Sequence, residues 1–178
     1  MTSFAQDPPS APSSPAAAPE SAWVAVAKTA RYVKEAHLQK ATAELANLTS
    51  DQKPAAHTLL NTLAAAENSP AGLRAASQNL SAALPSFVSK GPVPPGQDPN
   101  QRRVLLCALL VFHGRVLSVA KAIAAGTHKK EQSIELLRVI ADIKKTLRGA
   151  NVGIAMEEEA RHGLGPDLFD EAFHALSR

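Results

Sequence analysis

Residues 104–147 read VLLCALLVFHGRVLSVAKAIAAGTHKKEQSIELLRVIADIKKTL, an apolar run that passes through a Gly-Thr junction into a strongly basic one. Leu105, Ala108, Leu109, Phe112, Val116, Val119, Ala120 and Ile123 recur at spacings of three and four, which places them on one stripe of a helix. Val104, Leu106, Val111 and Leu117 widen that stripe over most of the circumference, so this helix is expected at the centre of a core. Gly126 ends it. Thr127 is positioned to cap a following helix that turns Ile134, Leu137, Ile140, Ala141 and Leu147 inward and runs to about Gly149.

The rest of the chain agrees with this helical reading. Ala supplies much of the 45% apolar content and aromatic residues only 4%. Ala is the best helix former and lets helices approach closely, whereas a sheet protein needs more β-branched and aromatic residues. The expected fold is all-α, an antiparallel four- or five-helix bundle with a short C-terminal amphipathic helix.

Working towards the N-terminus, Asp98 or Asn100 can cap the apolar helix, and the Pro- and Gly-rich stretch 90–100 before it reads as a loop. A helix from about Ala71 carries Leu73, Ala76, Leu80, Ala83 and Leu84 to the point where Pro85 interrupts it, with Phe87 and Val88 still able to pack. Before that, Thr49 and Gln52 have capping-box spacing and Pro54 falls in the first turn of a helix that directs Ala55, Leu59, Leu60, Leu63 and Ala66 inward. The pattern leaves open whether 51–88 is one interrupted rod or a hairpin. Trp23, Val26, Ala30, Val33, His37, Ala41, Leu45 and Leu48 share one stripe and predict a single helix roughly 40 Å long from near Glu20. Residues 1–19, with five prolines among Ser and Ala, read as a disordered tail ahead of one domain at 20–178.

Beyond the basic helix, Pro166 introduces an amphipathic segment bearing Leu168, Phe169, Ala172, Phe173 and Leu176. It is expected to close the core. The alternative is that Leu168, Phe169, Phe173 and Leu176 hold a partner or a second copy of the chain.

Charge is uneven along the chain. Between Gln101 and Arg148 ten Lys/Arg stand against three acids, whereas from Gly149 onward six acids stand against two Arg, beneath a net charge of only +3. A positive helix attracts acidic protein surfaces, anionic headgroups or phosphates. Lys129, Lys130, Arg138, Lys144, Lys145 and Arg148 are the candidate contacts. A solvated helix face is the competing explanation. Nucleic acid is the least favoured ligand, because neither a zinc finger nor an aromatic stacking platform is visible.

Catalytic signatures are missing. The six histidines are scattered without metal-ligand spacing, and Cys107 is the one cysteine, which excludes an intramolecular disulfide. Glu157, Glu158 and Glu159 are adjacent, so they point to different sides of a helix and make a poor acid/base pair. No cofactor or metal is expected. The longest unbroken apolar run, Val104 to Phe112, falls short of the ~20 residues that span a bilayer, so no transmembrane segment is expected. The single cysteine, within an apolar run, is consistent with a reducing, cytoplasmic setting. Pro9–Pro12, Pro12–Pro15 and Pro92–Pro95 have PxxP spacing, which ordinary linkers explain better than SH3 recognition.

The order Leu105, Ala108-Leu109, Phe112-His113, Val116, Val119-Ala120, Ile123 resembles the Ala- and Leu-rich helices of talin rod domains and other vinculin-superfamily bundles. Phe112 and His113 depart from that pattern, which prefers small or β-branched residues there. The resemblance covers one helix closely and the others in style. It implies a non-enzymatic cytoskeletal or adhesion adaptor that binds a protein partner, with F-actin or anionic lipid as ligands of the basic helix. The all-α architecture is also similar to that of cyclin-D-binding proteins, which implies a regulatory bundle that captures helical partners.

Overall fold

A computed structural model describes residues 20–30, 33–91, 98–148 and 170–177, and among them the secondary structure is helical with no strand. In chain order the helices are α1 (Ala22–Lys28), α2 (Glu35–Leu45), α3 (Gln52–Ala64), α4 (Pro70–Ala83), α5 (Pro99–Ala125), α6 (Lys129–Arg148) and α7 (Asp170–Leu176), with a 3-10 turn at Leu84–Phe87. The N-terminal tail 1–19, most of the 90–100 loop and the acidic cluster Glu157–Glu159 lie outside the described residues.

The fold is organised on α5. Sixteen of its 27 residues are buried, and they lie on every side of the helix. Each of the other six helices touches it. Polar contacts fix which neighbour lies where. The Cys107 thiol donates to the Ala41 carbonyl of α2 at 3.4 Å, and Ser118 Oγ donates to Asn68 Oδ1, in the turn after α3, at 3.0 Å. An Arg115 guanidinium nitrogen donates to the Ala66 carbonyl. Gly114 lies against α1: a Cβ there would sit 2.2 Å from the Val26 carbonyl oxygen, so only glycine admits this approach. Leu106, His113 and Leu117 fall on the remaining phase.

α5 is also long and apolar enough to cross a membrane by length and composition, a criterion that the run-length reading had it fail. That apolarity has a packing explanation here. In the window concerned 78% is buried inside the fold, as a core helix surrounded on all sides requires.

The predicted N-terminal rod is two helices. Thr29 turns its hydroxyl back onto the Val26 carbonyl at 2.7 Å and α1 ends at Lys28, while Lys34, in extended conformation, immediately precedes α2. The break rotates the buried stripe: Trp23, Ala27, Ala30, Leu38, Ala41 and Leu45 are inside, and Val26 and His37 are only half-buried.

The capping box is present, with the Gln52 N–H donating to Thr49 Oγ1 at 3.3 Å and the Thr49 N–H to Gln52 Oε1 at 3.5 Å. Ala55, expected inward, is exposed; Ala56, Leu60, Leu63 and Ala64 form the buried side of α3. Residues 51–88 make a hairpin. Ser69 caps α4 by accepting from the Gly72 N–H at 3.1 Å, and the chain returns so that Gln52 Nε2 donates to the Val88 carbonyl at 3.2 Å. Val88 itself is 53% exposed.

The start of α5 closes this end of the molecule. Pro99 and Asn100 belong to the helix, not to the preceding loop, because Asp98 is the cap: its Oδ1 accepts from the Asn100 and Gln101 N–H groups at 2.8 and 3.3 Å. The same carboxylate accepts from the Ser89 N–H at 2.6 Å and the Ser89 hydroxyl at 2.9 Å, tying the two ends of the 90–97 stretch together. Asn100 Nδ2 donates to Gln52 Oε1 at 3.0 Å, and Arg103 donates to Asn100 Oδ1 at 2.7 Å and to Glu44 of α2 at 3.1 Å.

Candidate interaction surface on α6

α6 is a 20-residue helix, about 30 Å long, that packs on α4 and α5. Its buried side is Leu136, Val139, Ile140, Ile143 and Leu147. Ile134 and Leu137, expected in the core, face outward with 46% and 41% exposure, and Ala141 is exposed beside them. The reason lies in the composition of the helix. It carries apolar residues in two phases, and the larger set, with Leu136, Val139 and Ile143, takes the interior. A salt bridge of 3.6 Å between Arg74 of α4 and Glu135 is compatible with that rotation alone.

The outward phase gathers six residues. At 100° per residue Lys130, Ile134, Leu137, Arg138, Ala141 and Lys145 fall within an arc of about 100°. All six are exposed. Glu131, Glu135 and Asp142 fall together on the adjoining flank, towards Arg74, so the arc itself holds three cations and no acid. α4, the neighbour on that flank, has Arg74 as its one charged residue.

Of the basic residues singled out from sequence, Lys130, Arg138 and Lys145 are thus brought onto one face. Lys144 is half-buried at its edge, and Lys129 is half-buried in the phase of the interior residues. Arg148 is the last residue of α6, and its side chain lies outside the described residues.

The C-terminal candidates are placed differently. α7 packs on α5 with Ala172 buried and Phe173 and Leu176 half-buried against the core; Leu168 and Phe169 lie outside the described residues. The exposed aliphatic pair on α6 was the element missed from sequence. Leu136, Val139 and Ile143 were its signal, because a stripe through them relegates Ile134 and Leu137 to the opposite side.

Among the described residues no three His, Cys, Asp or Glu side chains come together as a metal would need. Burial, with the Glu44 carboxylate adding to it, pushes the Cys107 thiol up to about 12, which leaves it protonated and unreactive. Burial works against the Asp98 carboxylate, but its hydrogen bonds from Ser89, Gln101 and Asn100 outweigh that and hold it below the usual carboxylate range. Both groups serve the packing of α5.

Comparison with protein-family models, with curated proteins and with solved structures finds no match to this chain.

Proposed function

We propose that this chain is a non-enzymatic docking module, a cytoplasmic adaptor of the cytoskeletal or adhesion type in which a helical bundle presents the outer face of α6 to an acidic surface. The observation that carries this reading is the arc that Lys130, Arg138 and Lys145 share with the exposed Ile134 and Leu137, with the acids of α6 on the adjoining flank. Three surface cations near an anionic surface contribute on the order of 3 kcal/mol, and the aliphatic pair adds burial that solvent-facing lysines alone do not supply. The apolar stripe on α5 that resembles talin is core in this reading and becomes available to a partner only when the bundle opens.

Co-sedimentation with F-actin and with phosphatidylserine-containing vesicles, each at 50 and 300 mM salt, tests it. Binding to at least one that falls steeply with salt and is lost in a Lys130→Glu/Lys145→Glu variant is the expected result. Retention in the supernatant with both ligands at low salt removes the proposal.

The exposed pair Ile134 and Leu137 also suits a second reading, in which α6 captures an amphipathic helix as cyclin-D-binding-like regulatory bundles do. Binding of a neutral amphipathic peptide, insensitive to salt, would favour it.

A further inference from the structure

We infer that the acidic surface docked by α6 is an anionic lipid bilayer, with Ile134 and Leu137 entering the headgroup layer and Lys130, Arg138 and Lys145 pairing with headgroup anions; this rests on the reading of α6 as the docking face.

The shape and order of the face favour a bilayer over a protein. The six residues form the ridge of a single helix, and cations and aliphatics alternate along it from Lys130 to Lys145, a rise of about 22 Å. A protein partner would need pockets for two aliphatics and acids in matching register between them. A bilayer needs no register, because it is negative everywhere and yields locally to an inserted side chain. Lys and Arg suit that setting since their long stems lie along the apolar boundary while the charged ends reach the headgroups.

The α4 flank adds no unpaired acid against such an approach. On the α4 side the next charged group is Arg74, already holding Glu135. Glu131 and Asp142, the exposed acids of α6, lie on the α4 flank, rotated about 20–40° beyond Arg138. Arg138 and Lys145 lie nearer the outermost line of α6 than either acid.

The test uses the full chain with vesicles of pure phosphatidylcholine and vesicles containing 30% phosphatidylserine, beside F-actin. Phosphatidylserine vesicles are expected to sediment the protein at 50 mM salt and phosphatidylcholine vesicles at least tenfold less. Lys130→Glu/Lys145→Glu should weaken binding more than tenfold, and Ile134→Ser/Leu137→Ser several-fold, while unchanged thermal melts show that both variants are folded. Because the Cys107 thiol is buried, a Leu137→Cys chain can be labelled at that position with an environment-sensitive dye. Its emission should shift to the blue on phosphatidylserine vesicles.

Binding to F-actin through the same lysines without vesicle binding overturns the lipid inference and leaves the docking function standing; binding to neither overturns both. Vesicle binding that ignores the lysine reversal, or leaves the dye on residue 137 in water, also overturns the lipid inference.

Discussion

Removing the Asp98 carboxylate tests how the end of the molecule is held together. In Asp98→Ala the cap of α5 is lost, and the hydroxyl and N–H of the half-buried Ser89 lose their acceptor. A helix cap contributes about 1 kcal/mol, and hydrogen bonds to a charged group about 1.5–3 kcal/mol each. These share one carboxylate and do not add, so a total of about 2–3 kcal/mol is expected. For a chain of this length that lowers Tm by roughly 5–10 °C. Asp98→Asn keeps an acceptor for the cap and should cost about half as much.

The pH dependence has a definite sign. The folded-state pKa of Asp98 lies below its unfolded value, so its contribution is fully present above the unfolded pKa of about 3.9 and is lost as pH falls through the folded value. Urea melts of wild type and Asp98→Asn between pH 7 and pH 2 should show a constant gap down to about pH 5 that then narrows. Asp98→Ala melting within 1 °C of wild type, or a gap to Asp98→Asn that persists undiminished at pH 2, refutes the reasoning.

Gly114→Ala should destabilise by about 1–3 kcal/mol, because the added methyl meets the Val26 carbonyl of α1; in an open helix the same change stabilises, so the sign alone, read by chemical denaturation, decides. Phe112→Ala, at a 1% exposed position of the central helix, should cost about 3–5 kcal/mol in the same assay. Ile134→Ser/Leu137→Ser should change stability by less than about 0.5 kcal/mol per site, and a larger loss would mean that α6 turns these residues inward. Cys107 should resist iodoacetamide at pH 8 in the folded protein and react on addition of denaturant, as followed by mass spectrometry.

The outer face of α6 was legible in part. That a basic helix follows an apolar one is written in the order of residues 104–147, and the exposure of Lys130, Arg138 and Lys145 needed only charge to anticipate. Their alignment with Ile134 and Leu137 was not legible. α6 has apolar residues in two phases, and a periodicity argument on an isolated helix selects either. Contact with α4 and α5 makes the choice, and Lys129 is drawn off the face by the same rotation.

Local chemistry determined the helices, because capping, proline placement and apolar spacing act within a few residues of one another. Thus Asp98, Ser69 with Pro70 and the Thr49–Gln52 box each stand at or beside a helix start. The buried state of α5 followed as well, since a helix apolar on all sides is excluded from water; that it is buried in protein was decided by its neighbours. The tertiary structure alone decided the break between α1 and α2, the return of α3 and α4 as a hairpin and the rotation of α6. Each depends on contacts between residues far apart in the chain, such as Gly114 with Val26, Gln52 with Val88 and Arg74 with Glu135, for which a single sequence carries no local signal.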